Sequence, residues 1–374
     1  NLPTSIELSK ELCKIVDTDQ YSRDESLCTL QKMDVWAAST QDSNFFNYFL
    51  LHGGIIKVLD FINIVLQDID EYNCCNNNNN SYTVIRRCMT IIQCAARIVG
   101  NVCVEGMGTS LEIATTAVKY DELLTLLRAS NECSSNEEEE DDDDNDDENN
   151  SYTSYQLAAL KENQLAALKE IWIALVNITA CDGIFGLVGR ERTMYVFGSG
   201  MDIIKRFKNA TIDIPIASEI GAQVFDALKC IISETNYMTN NEFKKENIIP
   251  HCLNVFKKDN DNSTWVYGSE KLIVRAIDFI DTCYDHKSFF PTSKDYLSII
   301  PLCILGLKEF PTNDHLRKNV RQLLTRICCC SGVSTLTIEK TGVLEGIVPL
   351  LTSDTIKDNE KCEWRSLVSK IVAT

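Results

Sequence analysis

The 374-residue chain holds 36 Lys+Arg against 54 Asp+Glu, a formal net charge of −18, with 44% hydrophobic residues and a mean hydropathy of −0.11. That is enough apolar material for a folded core, yet no uninterrupted apolar run approaches the ~18–20 residues a membrane helix needs. The balance also excludes a nucleic-acid-binding body, because phosphate contact requires a clustered Lys/Arg surface that this chain lacks.

Much of the charge is local. Glu137 to Glu148 is a run of carboxylates broken only by Asn145, and without it the net charge falls from −18 to −7. The start, Asn1-Leu2-Pro3-Thr4-Ser5, has neither the basic cluster nor the apolar block of a secretory signal. The first residue is not Met, so residues upstream, a targeting signal included, are left open.

Helical periodicity runs through the chain almost without interruption. It predicts helices at 5–17, 24–39, 43–51, 54–68, 82–104, 108–118, 120–129, 155–180, 200–208, 216–234, 243–256, 269–285, 294–308, 314–329, 342–352 and 361–373. No stretch sustains the strict alternation of a strand. Two low-complexity segments separate helices: an Asn-rich loop at 73–81, and an acidic, Asn- and Ser-rich linker at 130–154 whose like charges repel. The expected organisation is therefore 1–129, the linker at 130–154, and 155–374. A tandem copy, Gln156–Glu162 repeated as Gln164–Glu170, lengthens one helix by about two turns.

Three phrases give the period. Ile248-Ile249-Pro250-His251-Cys252-Leu253 recurs as Ile299-Ile300-Pro301-Leu302-Cys303-Ile304 and as Ile347-Val348-Pro349-Leu350-Leu351. A helical period of ~40–50 residues signals stacked units that bury their apolar faces only against neighbours. The expected fold is all-α, a right-handed solenoid of about six to seven degenerate repeats.

The longest helices are apolar over most of their circumference and carry one narrow polar stripe, the pattern of a helix packed on all sides but one. The stripes supply the candidate partner-binding residues. They are Arg86, Gln93, Arg97 and Asn101; Asn177; Gln223 and Asp226; Arg275 and Asp278; and Asn319, Gln322 and Arg326. An Asn or Gln amide can donate to and accept from an extended peptide backbone. The arginines can fork onto carboxylates, or pair with neighbouring helices.

The 17 cysteines include no Cys-x-x-Cys pair, and most fall among apolar helix neighbours, where they read as small hydrophobes of a reducing compartment. Cys328-Cys329-Cys330 point about 100° apart on a helix and do not converge on one metal ion. Gly198-Ser199-Gly200 reads as a turn without the Lys-Ser/Thr of a phosphate loop, and neither a Gly-x-Ser-x-Gly elbow nor a His-Glu-x-x-His occurs. The reading is non-enzymatic, with no cofactor and no metal. Trp36, Trp172, Trp265 and Trp364 are assigned to packing.

Gly54-Ile55-Ile56-Lys57-Val58-Leu59, Gly342–Leu351 and the two other proline phrases resemble the second helix of armadillo-type repeats. Ala96–Val102 and Ala174–Ile178 are similar to the Asn-bearing end of the third helix. HEAT-like units share the pattern. Asp34-Val35-Trp36, Asp42–Leu51 and Gly100-Asn101-Val102-Cys103 further resemble the serum amyloid A-like family of armadillo-type proteins. That resemblance implies a non-enzymatic protein of the nucleus or cytoplasm. Import receptors of this type resemble one another in a ladder of Trp and Asn one helical turn apart; here Trp172 precedes Asn177 by five positions, which turns the two apart.

The expected function is a monomeric scaffold or adaptor that binds a protein segment along a concave groove, with no nucleic-acid or membrane partner. Two alternatives are a diverged nuclear-transport-type receptor for basic peptides, and a histone-chaperone-like binder using Glu137–Glu148.

Overall fold

A computed structural model describes residues 54–74, 81–105, 127–131, 154–181, 183–206, 215–256, 269–329, 338 and 341–372. The helices expected at 5–17, 24–39, 43–51 and 108–118, most of 120–129, Trp36, Trp265, Asn76–Asn80 and Glu137–Glu148 lie outside them. Among the described residues the structure is helical and contains no strand. None of the described helices is long and apolar enough to cross a membrane. The chain divides into two compact units, Asn1–Ser199 and Gly200–Thr374.

In the first unit, α1 (Gly54–Cys74), α2 (Ser81–Glu105) and α3 (Ser154–Thr179) are packed by α2, which lies against both α1 and α3. Its apolar surface explains this: Ile91, Ile92, Ala95, Ile98 and Val99 are fully buried, and so are Leu168, Ile171, Trp172 and Leu175 of α3. Burial of each such aliphatic side chain contributes about 2 kcal/mol. Gly100 lets α2 and α3 approach, since a Cβ there would lie 3.4 Å from the Cα of Ala174. Ser130, the first residue of the expected linker, is buried and accepts a hydrogen bond from Trp172 Nε1 at 3.0 Å. The short α4 (Ile184–Val188) follows Gly183, whose φ of 78° is the left-handed conformation glycine adopts freely.

The unit boundary falls within α5 (Arg190–Arg206). Gly198-Ser199-Gly200, expected as a turn, lies inside this helix. Burial of Val196, Phe197, Met201, Ile203 and Ile204 outweighs the roughly 1 kcal/mol each glycine costs.

The second unit contains α6 (Pro215–Glu234), α7 (Asn240–Glu246), α8 (Ile248–Asn254), α9 (Glu270–Asp285), α10 (Ser293–Glu309), α11 (Asp314–Cys329), α12 (Val343–Thr352) and α13 (Asp358–Val372). The single helix expected at 243–256 is two. Asn247, at φ 47° and ψ 46°, breaks it in a conformation Asn tolerates better than most residues. Starts are set by side chains. Thr239 with Glu242 and Thr292 with Asp295 form capping boxes, and Ser269 accepts from the Leu272 N–H.

Two rows of helices result. One runs α6–α9–α11–α13, each packed on the next, and the other runs α8–α10–α12. The three Ile/Val-Pro phrases sit one on each helix of the second row. Ile248, Ile249, Cys252 and Leu253 are buried, as are Ile299, Ile300, Leu302 and Cys303. In the third copy Ile347 and Leu350 are buried while Val348 is exposed. Pro301 and Pro349 lie inside their helices.

Candidate functional site

Stripe residues of the second unit lie along the α6–α9–α11–α13 row, where they meet one another. The centre is Asp278 on α9, a carboxylate 3% exposed. Its Oδ2 takes Lys229 Nζ of α6 at 3.1 Å, His315 Nε2 of α11 at 2.8 Å and, more distantly, Arg275 Nη1 at 3.8 Å. Its Oδ1 accepts from the Asn319 amide of α11. The single carboxylate thus ties three consecutive helices, and a buried charge demands such a set of partners.

Flanking pairs extend the pattern. Arg275 Nε contacts Asp226 Oδ2 at 3.0 Å, joining α9 to α6. Burial nonetheless holds the Asp226 carboxyl above its ordinary value, against the pull of Arg275, Lys229 and Lys271. Arg326 of α11 reaches Asp285 with Nη1, while its Nε stands 3.5 Å from Asp281 Oδ1. That second contact does not satisfy Asp281, whose Oδ1 is buried without a hydrogen bond. Burial, first of all, pushes the Asp281 carboxyl up to about 6; Asp285 and Asp278 add to the shift and Arg326 and Lys229 oppose it.

Gln223 and Gln322 are the remaining stripe residues here. Gln223 is half-buried and Gln322 exposed, and neither makes a side-chain hydrogen bond to a described residue. The expected set is therefore divided: the charged members and Asn319 hold neighbouring helices together, and the two glutamine amides stay open to solvent between them.

In the first unit the division recurs. Arg97 pairs with Glu170 at 3.0 Å, and Asn177 Nδ2 donates to the Gly100 carbonyl at 3.0 Å, so both bind α2 to α3. Arg86 is exposed and Gln93 and Asn101 are half-buried, with no side-chain partner among the described residues.

Sequence reasoning passed over residues the geometry places on this face. Lys229 is three positions after Asp226, and Glu363, Ser366 and Lys370 follow the same spacing on α13. Spacing by three and four was the available signal on α13. The pairing of Arg321 with Glu363 at 2.5 Å, across α11 and α13, had none.

Burial pushes Cys103 and Cys303 up to about 12 and raises Cys252 and Cys283 as well, so these thiols stay protonated at neutral pH. Among the described residues no three His, Cys, Asp or Glu side chains cluster as metal ligands. Trp172 and Trp364 are fully buried in packing. No protein-family model matches the chain, and no curated protein matches it.

Proposed function

We propose that the chain is an armadillo/HEAT-like helical-repeat protein, a right-handed α-solenoid of about six to seven degenerate repeats. It acts as a non-enzymatic scaffold or adaptor of the nucleus or cytoplasm, and it holds a segment of a partner protein along the polar face of α6, α9, α11 and α13. One observation carries this reading: the stripes of α6, α9 and α11 meet in cross-helix ion pairs, and the Gln223 amide of α6 and the Gln322 amide of α11 are left without a partner among the described residues. Ion pairs of that kind fix the helices relative to one another. The open Gln223 and Gln322 amides are then presented on a face that is already ordered, which lowers the entropy lost on binding. Amides of this type hold an extended backbone without reading its side chains.

Photo-crosslinking tests the proposal. A photoreactive residue at Gln223 or Gln322 is expected to capture a partner that the same residue at exposed Val348, in the α8–α10–α12 row, does not. Equal capture from both rows would remove the polar face as the binding surface.

A further inference from the structure

We infer that the cleft between α11 and α13 takes a carboxylate-rich peptide segment; the inference rests on the binding face proposed above and names the chemistry of its partner at one end. The cleft measures about 400 Å³. Arg321, Gln322, Arg326, Glu363, Ser366 and Lys370 supply its polar lining, and buried Leu367 its apolar part. Three cations and one carboxylate line it, but Arg321 already pairs with Glu363 and Arg326 with Asp281 and Asp285, so Lys370 is the lining cation that pairs with no carboxylate among the described residues.

The three cations differ in what they already hold. Arg326 spends Nε and Nη1 on Asp281 and Asp285. Arg321 holds Glu363 through Nη2 at 2.5 Å, and its guanidinium lies 5.8 Å from the centre of the buried Trp364 ring, which fixes its position. Lys370 is exposed and pairs with no carboxylate among the described residues. Beside it, the exposed Gln322 amide and Ser366 hydroxyl are also without hydrogen-bond partners there.

The cleft thus already accommodates one carboxylate, Glu363, and has an ammonium, an amide and a hydroxyl ready for more. A guanidinium fork and an ammonium together match a pair of carboxylates on an extended peptide. Glu363 is 56% exposed, so an incoming carboxylate can replace it on Arg321 without a buried charge being left unpaired.

Fluorescence anisotropy on the full chain tests this, with labelled Glu-rich, Lys-rich and carboxylate-free phosphoserine peptides as probes. The Glu-rich peptide is expected to bind best, and to weaken as salt rises from about 0.05 to about 0.5 M. Lys370→Glu is expected to weaken it by about fivefold or more, and Glu363→Gln to tighten it about two- to threefold, because the competitor for Arg321 is gone. Both positions are exposed, and unchanged melting curves check that the variants fold. Preference for the Lys-rich or phosphoserine probe, or Glu-rich binding indifferent to both substitutions, overturns the assignment. Should crosslinking at Gln322 persist in Lys370→Glu with those results, the binding face stands and only its acidic ligand fails. Loss of row-selective crosslinking removes the face itself.

Discussion

Glu360 grips Arg317 with both carboxylate oxygens, Oε1 on Nε at 2.6 Å and Oε2 on Nη2 at 3.0 Å, and so joins α13 to α11. Arg317 is 3% exposed and also donates to the Pro311 carbonyl and to Asp314. Its hydrogen bonds hold the Glu360 carboxyl below the ordinary value, against burial, and the Trp364 indole N–H assists. Glu360→Ala is expected to cost about 3 kcal/mol, because a buried guanidinium loses its bidentate partner. A depressed carboxylate contributes stability that is present above its unfolded value and is lost as pH falls through the folded one. Wild type should therefore destabilise on acidification below about pH 4, and the variant should lose that part of the dependence in urea titrations across pH.

Asp278→Ala is expected to loosen the polar face across three helices. It removes the shared partner of Lys229, His315 and Asn319 and leaves an ammonium, 35% exposed, beside a vacated interior site. The cost should be about 1–3 kcal/mol, read from urea midpoints, because the buried Asn319 amide loses its acceptor while the cations left behind stay partly in solvent. Lys229→Ala should cost less, since Asp278 keeps His315 and Asn319.

Asn177→Ala should cost about 1 kcal/mol through its lost bond to the Gly100 carbonyl. Gly100→Leu should cost about 2 kcal/mol or more, because its side chain would enter the contact with Ala174. Thermal melts of both variants check this. Crosslinking from Gln322 should be unchanged, because the two residues belong to the other unit.

The helices and their polar faces were readable because both follow from spacing by three and four, a local property of the chain. Arg97, Arg275, Asp278, Asn319 and Arg326 each fell on a stripe for that reason. What they do with their polar atoms depended on residues far along the chain: Glu170 is 73 positions from Arg97, and Asn319 is 41 from Asp278. No periodicity encodes such a pairing. The Gly198-Ser199-Gly200 stretch was misread because glycine weakens a helix locally, while the burial that sustains α5 is tertiary. The Asn247 break was masked because Lys244-Lys245-Glu246 before it and Ile248-Ile249 after it are all compatible with a helix. The Ile/Val-Pro phrases marked helices that propensity alone would have broken at the proline, and Pro301 and Pro349 do lie inside theirs.

Asp281→Asn is expected to stabilise the protein at neutral pH. Its carboxyl titrates at about 6 in the fold against 3.8 for an unperturbed group, so the folded chain binds a proton more readily than the unfolded one between those values. With an acid raised in this way, stability falls as pH rises through the interval, and the penalty is fully present above it. An amide cannot ionise, which removes the penalty, and Arg326 keeps Asp285 as its ion-pair partner. Melting temperatures of wild type and Asp281→Asn should therefore converge near pH 4 and separate by pH 7, with the variant higher. A variant less stable than wild type at pH 7 would mean that the Arg326 contact at 3.5 Å outweighs the burial of the charge.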